Sequence, residues 1–316
     1  MLRLQLLGLG QIHYCDRPLD GFPNHQCHRL LCYLVLNRHH PHNRERLASI
    51  FWCDCSTSTS RTYLRNAIWR LRHTLQVAGA AVDDYLLIGD DSISFIASSR
   101  YWLDVEVLEA AFSACQALDG HELASSQTAE LEQAVDLYVG DLLEGTYEDW
   151  CLYDRERLRL LHLSALDKLL VYHEHNGTYD RGLIYGKRLL ARDPTNEKVH
   201  RQMMRLYWLV GDPNEALAQY RSCTQVLREE LGIRPSESTT LLYKQMVRNE
   251  FDPALLPVYR DDSLPDRIRR DESLRSTVRH ALQRVQRLQV VAEETRSELQ
   301  QIERLISVAL LEGSQT

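Results

Sequence analysis

Period two opens the chain: Leu2, Leu4 and Leu6 alternate with Arg3 and Gln5, and Ile12 and Tyr14 follow the break at Gly8-Leu9-Gly10. Alternation sends neighbouring side chains to opposite faces, so a small antiparallel sheet is expected first. From His25 to Asn37 the spacing changes to three and four, with Cys27, Leu30, Leu31, Leu34 and Val35 on one side. That pattern predicts an amphipathic helix ended near Pro41, and Asn43 is placed to cap a second helix carrying Leu47, Ile50 and Phe51. A third helix, capped by Thr57 or Ser58, repeats its apolar residues at Leu64, Ala67, Ile68, Leu71 and Leu75. Tyr85 to Ile88, the turn Gly89-Asp90-Asp91-Ser92 and Ile93 to Ile96 then read as strand, turn, strand. Three helices followed by a hairpin predict a winged helix-turn-helix.

From Glu109 onward the pattern is helix after helix, divided at Asp119-Gly120, Gly140-Asp141, Asn176-Gly177, Asp193-Pro194, Gly211-Asp212-Pro213 and Gly232. The segments starting at Gly177 and Gly211 repeat after 34 residues, pairing Gly182 with Ala216, Leu183 with Leu217 and Gly186 with Tyr220. That is the tetratricopeptide (TPR) period, and small residues there let two helices approach closely. Pro253, Pro257 and Pro265 then mark a linker. Beyond it, apolar residues from Leu274 to Ala309 alternate steps of four and three for about five heptads, which is coiled-coil spacing. The fold class is therefore mainly α with small β elements. A winged helix occupies 1–108, a TPR-like helical domain 109–250, a linker 251–270 and a coiled-coil helix 271–312.

Charge by segment sharpens the picture. The 316 residues carry a net charge of -7, which argues against indiscriminate coating of nucleic acid. Residues 1–82, however, hold ten Arg against four acids, +6, whereas 83–160 hold four Arg against eighteen acids, -14. A basic head is the electrostatic footprint of a nucleic-acid binder. On the third helix, Thr59, Thr62, Asn66, Trp69, Arg70 and His73 fall opposite the apolar stripe, with Arg65 on the flank, and no acid occurs between Thr57 and Val82. Arg pairs with guanine or phosphate, Asn with adenine and Thr with either, so this face suits a DNA major groove. Arg61 and Arg44 complete the candidate DNA-binding set; the alternative is an ordinary solvated helix face.

Other chemistry is sparse. Cys27, Cys32, Cys53, Cys55, His39, His40 and His42 are potential zinc ligands, but their spacing matches no closed site, so neither metal nor cofactor is expected. No nucleophile elbow, phosphate loop or HExxH occurs, which argues against an enzyme. No run of about 18 uncharged apolar residues is present, so a cytoplasmic protein without membrane contact is expected.

The runs Arg29 to Leu36, Arg44 to Trp52 and Leu64 to Arg72, closed by Tyr101-Trp102-Leu103-Asp104-Val105-Glu106, resemble the DNA-binding domain of SARP-type (Streptomyces antibiotic regulatory protein) bacterial regulators. Tyr138 to Gly145 with Trp150 and Glu156-Arg157-Leu158, and Leu227 to Ser236, are similar to the bacterial transcriptional activator domain (BTAD). The resemblance implies an OmpR-like winged helix followed by that domain. It also implies an activator that binds direct repeats in double-stranded promoter DNA and contacts RNA polymerase. A homodimer or higher homo-oligomer through the helical domain and coiled coil is expected. Departures from the pattern are His25-Gln26-Cys27-His28 where relatives often carry Arg and Lys, Trp52-Cys53-Asp54 for Trp-Pro-Asp, and Asp90 and Asp91 at the hairpin tip. They motivate a second reading: a TPR-like protein-interaction or signal-sensing scaffold whose winged helix binds DNA weakly or not at all.

Overall fold

The computed structural model describes residues 1–19 and 25–251. The expected linker from residue 252 on, and the coiled-coil helix, lie outside the described residues.

Strands β1 (Leu2–Gln5) and β2 (Gln11–Tyr14) pair antiparallel with Leu4 opposite Ile12, and β3 (Arg17–Pro18) adds to β2. Leu2, Leu4 and Ile12 face the core while Arg3 is exposed, as period two requires. Helix α1 (His25–Leu36) is followed by the two-residue strand β4 (His42–Asn43) and by α2 (Arg44–Phe51), where the Asn43 side chain accepts from the Glu45 and Arg46 N–H groups. Helix α3 (Thr57–Val77) is capped by Ser56, one residue before the expected position, through the Thr59 N–H. Ser56, Thr57 and Ser58 are all competent caps, so only geometry distinguishes them.

The wing consists of β5 (Leu86–Ile88) and β6 (Ser92–Phe95), and β4 joins β6 to give the sheet order β4-β6-β5. A strand that no local pattern announces closes the first sheet: β7 (Tyr101–Leu103) runs parallel to β1, so that sheet is ordered β3-β2-β1-β7.

Helix α4 (Asp104–Ser113) crosses residues 108–109, where the sequence places the domain border. Val105 and Leu108 pack in the core shared with the winged helix, whereas Phe112 and Cys115 belong to the core that follows. Asp104 is buried: its carboxylate accepts from the Leu7 and Val105 N–H groups at 2.8 Å each, tying the helix start to the chain after β1. Burial pushes its pKa up against those bonds.

Six further helices complete the helical domain: α5 (Ser125–Asp136), α6 (Asp149–His175), α7 (Tyr179–Arg192), α8 (Glu197–Val210), α9 (Pro213–Val226) and α10 (Glu237–Val247). Each of α6 to α9 packs on its successor. Gly211, with φ +88°, makes the left-handed turn from α8 to α9. At the repeat positions Ala216 is fully buried, and a Cβ on Gly186 would stand 2.1 Å from the Met203 sulfur. Gly186→Ala is therefore expected to destabilise the protein by about 1 to 2 kcal/mol even after the roughly 1 kcal/mol gain in helix propensity. Urea denaturation checks this; an unchanged midpoint would show that Met203 can yield freely.

Candidate nucleic-acid interface

Helix α3 turns its apolar stripe inward, with Leu64, Ala67, Ile68, Leu71 and Leu75 all buried. At 100° per residue the remaining positions sort into three strips. The centre carries Thr62, Asn66, Trp69 and His73, all exposed. One edge carries exposed Arg61, Arg65 and Arg72; the other carries Thr59 and Arg70, both half-buried, and exposed Tyr63. No acid lies on the helix.

Several of these side chains are held in place. The Trp69 and His73 rings stack at 5.4 Å with planes 4° apart, although Trp69 is 64% exposed. An indole left so open is available to an external partner. Thr62 donates from Oγ1 to the Ser58 carbonyl at 3.0 Å, and Thr59 Oγ1 lies 2.9 Å from Ser56 Oγ. Arg61 pairs with Glu45 of α2; with both side chains more than half exposed, this pair contributes little stability and is readily exchanged. The charge of Arg70 reaches back to Cys27 of α1, where it partly offsets the rise that burial gives the thiol.

Arg44 is differently engaged. Its Nη1 donates to the Gly89 carbonyl at 3.1 Å and the Asp90 carbonyl at 3.4 Å, and its own N–H donates to the Asp91 carbonyl at 3.0 Å. It braces the wing tip against the start of α2, while Asp90 and Asp91 remain exposed there. Sequence reasoning does not select Arg72 or Tyr63. Arg72 is legible as one of the four Arg on an acid-free helix; the exposed Tyr63 has a ring contact with Trp52 at 6.3 Å.

Arg29 of α1 is also occupied, donating to Glu148 just before α6. Trp150 of α6 meets Tyr33 at 5.3 Å and Phe51 at 5.8 Å, so the helical domain supports the winged helix from behind. Among the described residues, no group of three or more His, Cys, Asp or Glu is placed to hold a metal ion, and no helix is long and apolar enough to cross a membrane.

The comparisons agree with this architecture. Residues 103–247 match the bacterial transcriptional activator domain. The regulatory protein AfsR of Streptomyces coelicolor is 28% identical over 125 residues, covering 40% of this chain but only 12% of AfsR. The transcriptional regulatory protein MoaR1 of Mycobacterium tuberculosis is 22% identical over 228 residues, covering 69% of this chain and 71% of MoaR1. Mycobacterium tuberculosis EmbR, solved in complex with a low affinity phosphopeptide, shares the fold with a TM-score of 0.58 at 20% identity, over 80% of this chain and 66% of EmbR. The chain thus joins a winged helix-turn-helix to a bacterial transcriptional activator domain over residues 103–247, and in this it is similar to the SARP-type bacterial transcriptional regulators.

Proposed function

We propose that the protein is a sequence-specific activator that binds direct repeats in promoter DNA and recruits RNA polymerase. The observation that carries the DNA-binding step is the acid-free outer face of α3, with Thr62, Asn66, Trp69 and His73 between an edge of Arg61, Arg65 and Arg72 and an edge that carries Arg70. Asn66 and Arg65 are exposed and bear the groups that pair bidentately with adenine and guanine. Arg61, Arg70 and Arg72 of α3 act on phosphate, so binding weakens as salt rises. Protomers are held together by the helical domain and by the segment whose sequence carries the heptad pattern, residues 274–309.

Selection of sites from random DNA, followed by anisotropy titration at fixed salt, tests the proposal. Asn66→Ala and Arg65→Ala are each expected to weaken the selected site by roughly 1 to 2 kcal/mol, about ten-fold, with little effect on random DNA. Unchanged affinity in both variants would remove the α3 face from base reading. Absence of any enriched sequence would favour the scaffold reading, which the exposed Asp90 and Asp91 at the wing tip support.

A further inference from the structure

The turn between α2 and α3 carries Trp52-Cys53-Asp54-Cys55, and neither sulfur takes part in the interface described above. Of the eight cysteines five are buried; Cys53 and Cys55 are exposed, as is Cys15 beyond β2. The Cys55 N–H donates to the Trp52 carbonyl at 3.2 Å, closing a tight turn around Cys53. Residues two apart are at most about 7 Å from Cα to Cα, and a turn shortens that span into the range a disulfide bridges, roughly 4.4 to 6.8 Å. Both cysteines line a hollow of about 260 Å³ together with Glu45, Ser49, Thr57 and Arg61. The hollow gives a small oxidant access and opens beside Arg61, at the basic edge of α3. Cys55 directly precedes Ser56, whose hydroxyl caps that helix.

We propose that Cys53 and Cys55 are a dithiol modification site, closed to a disulfide by a low-molecular-weight disulfide and weakening DNA binding when closed. One cysteine, as thiolate, attacks the small disulfide; its S–S bond breaks and one small thiolate leaves. The second cysteine thiolate then attacks the mixed disulfide and expels the other. Two protein thiols are oxidised, one small disulfide is reduced to two small thiols, and the two cysteine protons end on those products. Drawing both sulfurs into one bond resets the turn that carries the Ser56 cap and the Arg61 edge. The effect on DNA rests on the proposed DNA-binding function; the chemistry at the sulfurs does not.

The test uses the full chain, reduced and then treated with bis(2-hydroxyethyl) disulfide without other oxidants. Non-reducing peptide mapping reads the sulfurs, and anisotropy on the selected DNA site reads binding. The expected result is loss of two hydrogens from the peptide holding Cys53 and Cys55. Affinity falls roughly five-fold or more, because a docking helix loses base contacts when its supporting turn is reset. Dithiothreitol reverses both changes, Cys53→Ser abolishes both, and Cys15→Ser leaves both as in the parent chain. A persistent hydroxyethyl adduct, a cross-link between copies, or closure with unchanged affinity overturns the proposal. If the reduced protein binds no DNA, it is the DNA-binding function that has failed, and the peptide map alone then decides the dithiol site.

Discussion

Acidification from pH 7 to about 5 is expected to remove about 2 kcal/mol of unfolding free energy through His162 alone. This histidine lies in α6, fully inside the helical domain, stacked on Tyr138 with centroids 4.1 Å apart. Burial, reinforced by Arg188 and Arg192, pushes its pKa down to about 3 from 6.5, and Asp141 opposes this only in part. Its Nδ1 is buried with no hydrogen-bond partner, so a proton there would bring a charge and an unsatisfied donor into the core. The folded protein therefore keeps the ring neutral at pH values where the unfolded chain protonates it. Stability is fully present above 6.5 and is lost as pH falls towards 3, by about 1.4 kcal/mol per unit at most. His173 and His200, also lowered by burial, add in the same direction. His162→Phe keeps a flat ring against Tyr138 and removes the titration. Urea denaturation at pH 7 and 5 should show the variant losing about 2 kcal/mol less than the parent chain; equal losses would show that His162 does not carry the acid sensitivity.

The elements visible in the sequence are those whose burial follows a single local period. Leu64 to Leu75 announce α3, and the strip opposite them follows from 100° geometry alone. Small residues at Gly182 and Gly186 likewise suggest close helix contacts, and at Gly186 an added Cβ would stand 2.1 Å from the Met203 sulfur. What stays hidden depends on distant partners. Three residues, Tyr101–Leu103, have too little pattern to reveal a parallel pairing with β1, and β4 is only two residues long. Arg44 illustrates the same limit at the site: the sequence places it in the candidate DNA-binding set, but only the fold shows its guanidinium on the wing-tip carbonyls. The segment from Tyr138 to Gly145 shows in the sequence as a break at Gly140-Asp141 and by its resemblance, and its physical use emerges when it lies against the chain that follows β1.

That use leads to the second large effect: Arg155→Ala is expected to lower the unfolding free energy by about 3 kcal/mol. Arg155 of α6 donates from Nε to the Leu142 carbonyl at 2.9 Å and from Nη2 to the Leu143 and Thr146 carbonyls at 3.0 and 2.6 Å. The loop it holds is strained, since Leu143 sits at φ +48° without being glycine. The same loop is welded to the chain that follows the first strand: Leu143 N–H donates to Leu6 at 2.9 Å, Glu144 N–H to Gly8 at 2.7 Å, and Gly8 N–H to Asp141 at 3.1 Å. Leu142, Leu143, Cys151 and Leu158 belong to the core that contains Leu64 and Leu71 of α3. One guanidinium thus fixes the backbone through which the helical domain completes the core of the winged helix. Loss of its fork removes three charge-assisted hydrogen bonds and leaves the left-handed Leu143 unsupported. Arg155→Lys keeps the charge but not the planar fork, so it should fall between the parent chain and the alanine variant. Urea denaturation followed by far-ultraviolet circular dichroism, and separately by the fluorescence of Trp52 and Trp69 in chains whose other tryptophans are replaced, reads the helical and winged-helix halves. Both transitions should shift together, because the core is shared; a shift confined to the helical signal would show that the seam does not support the winged helix.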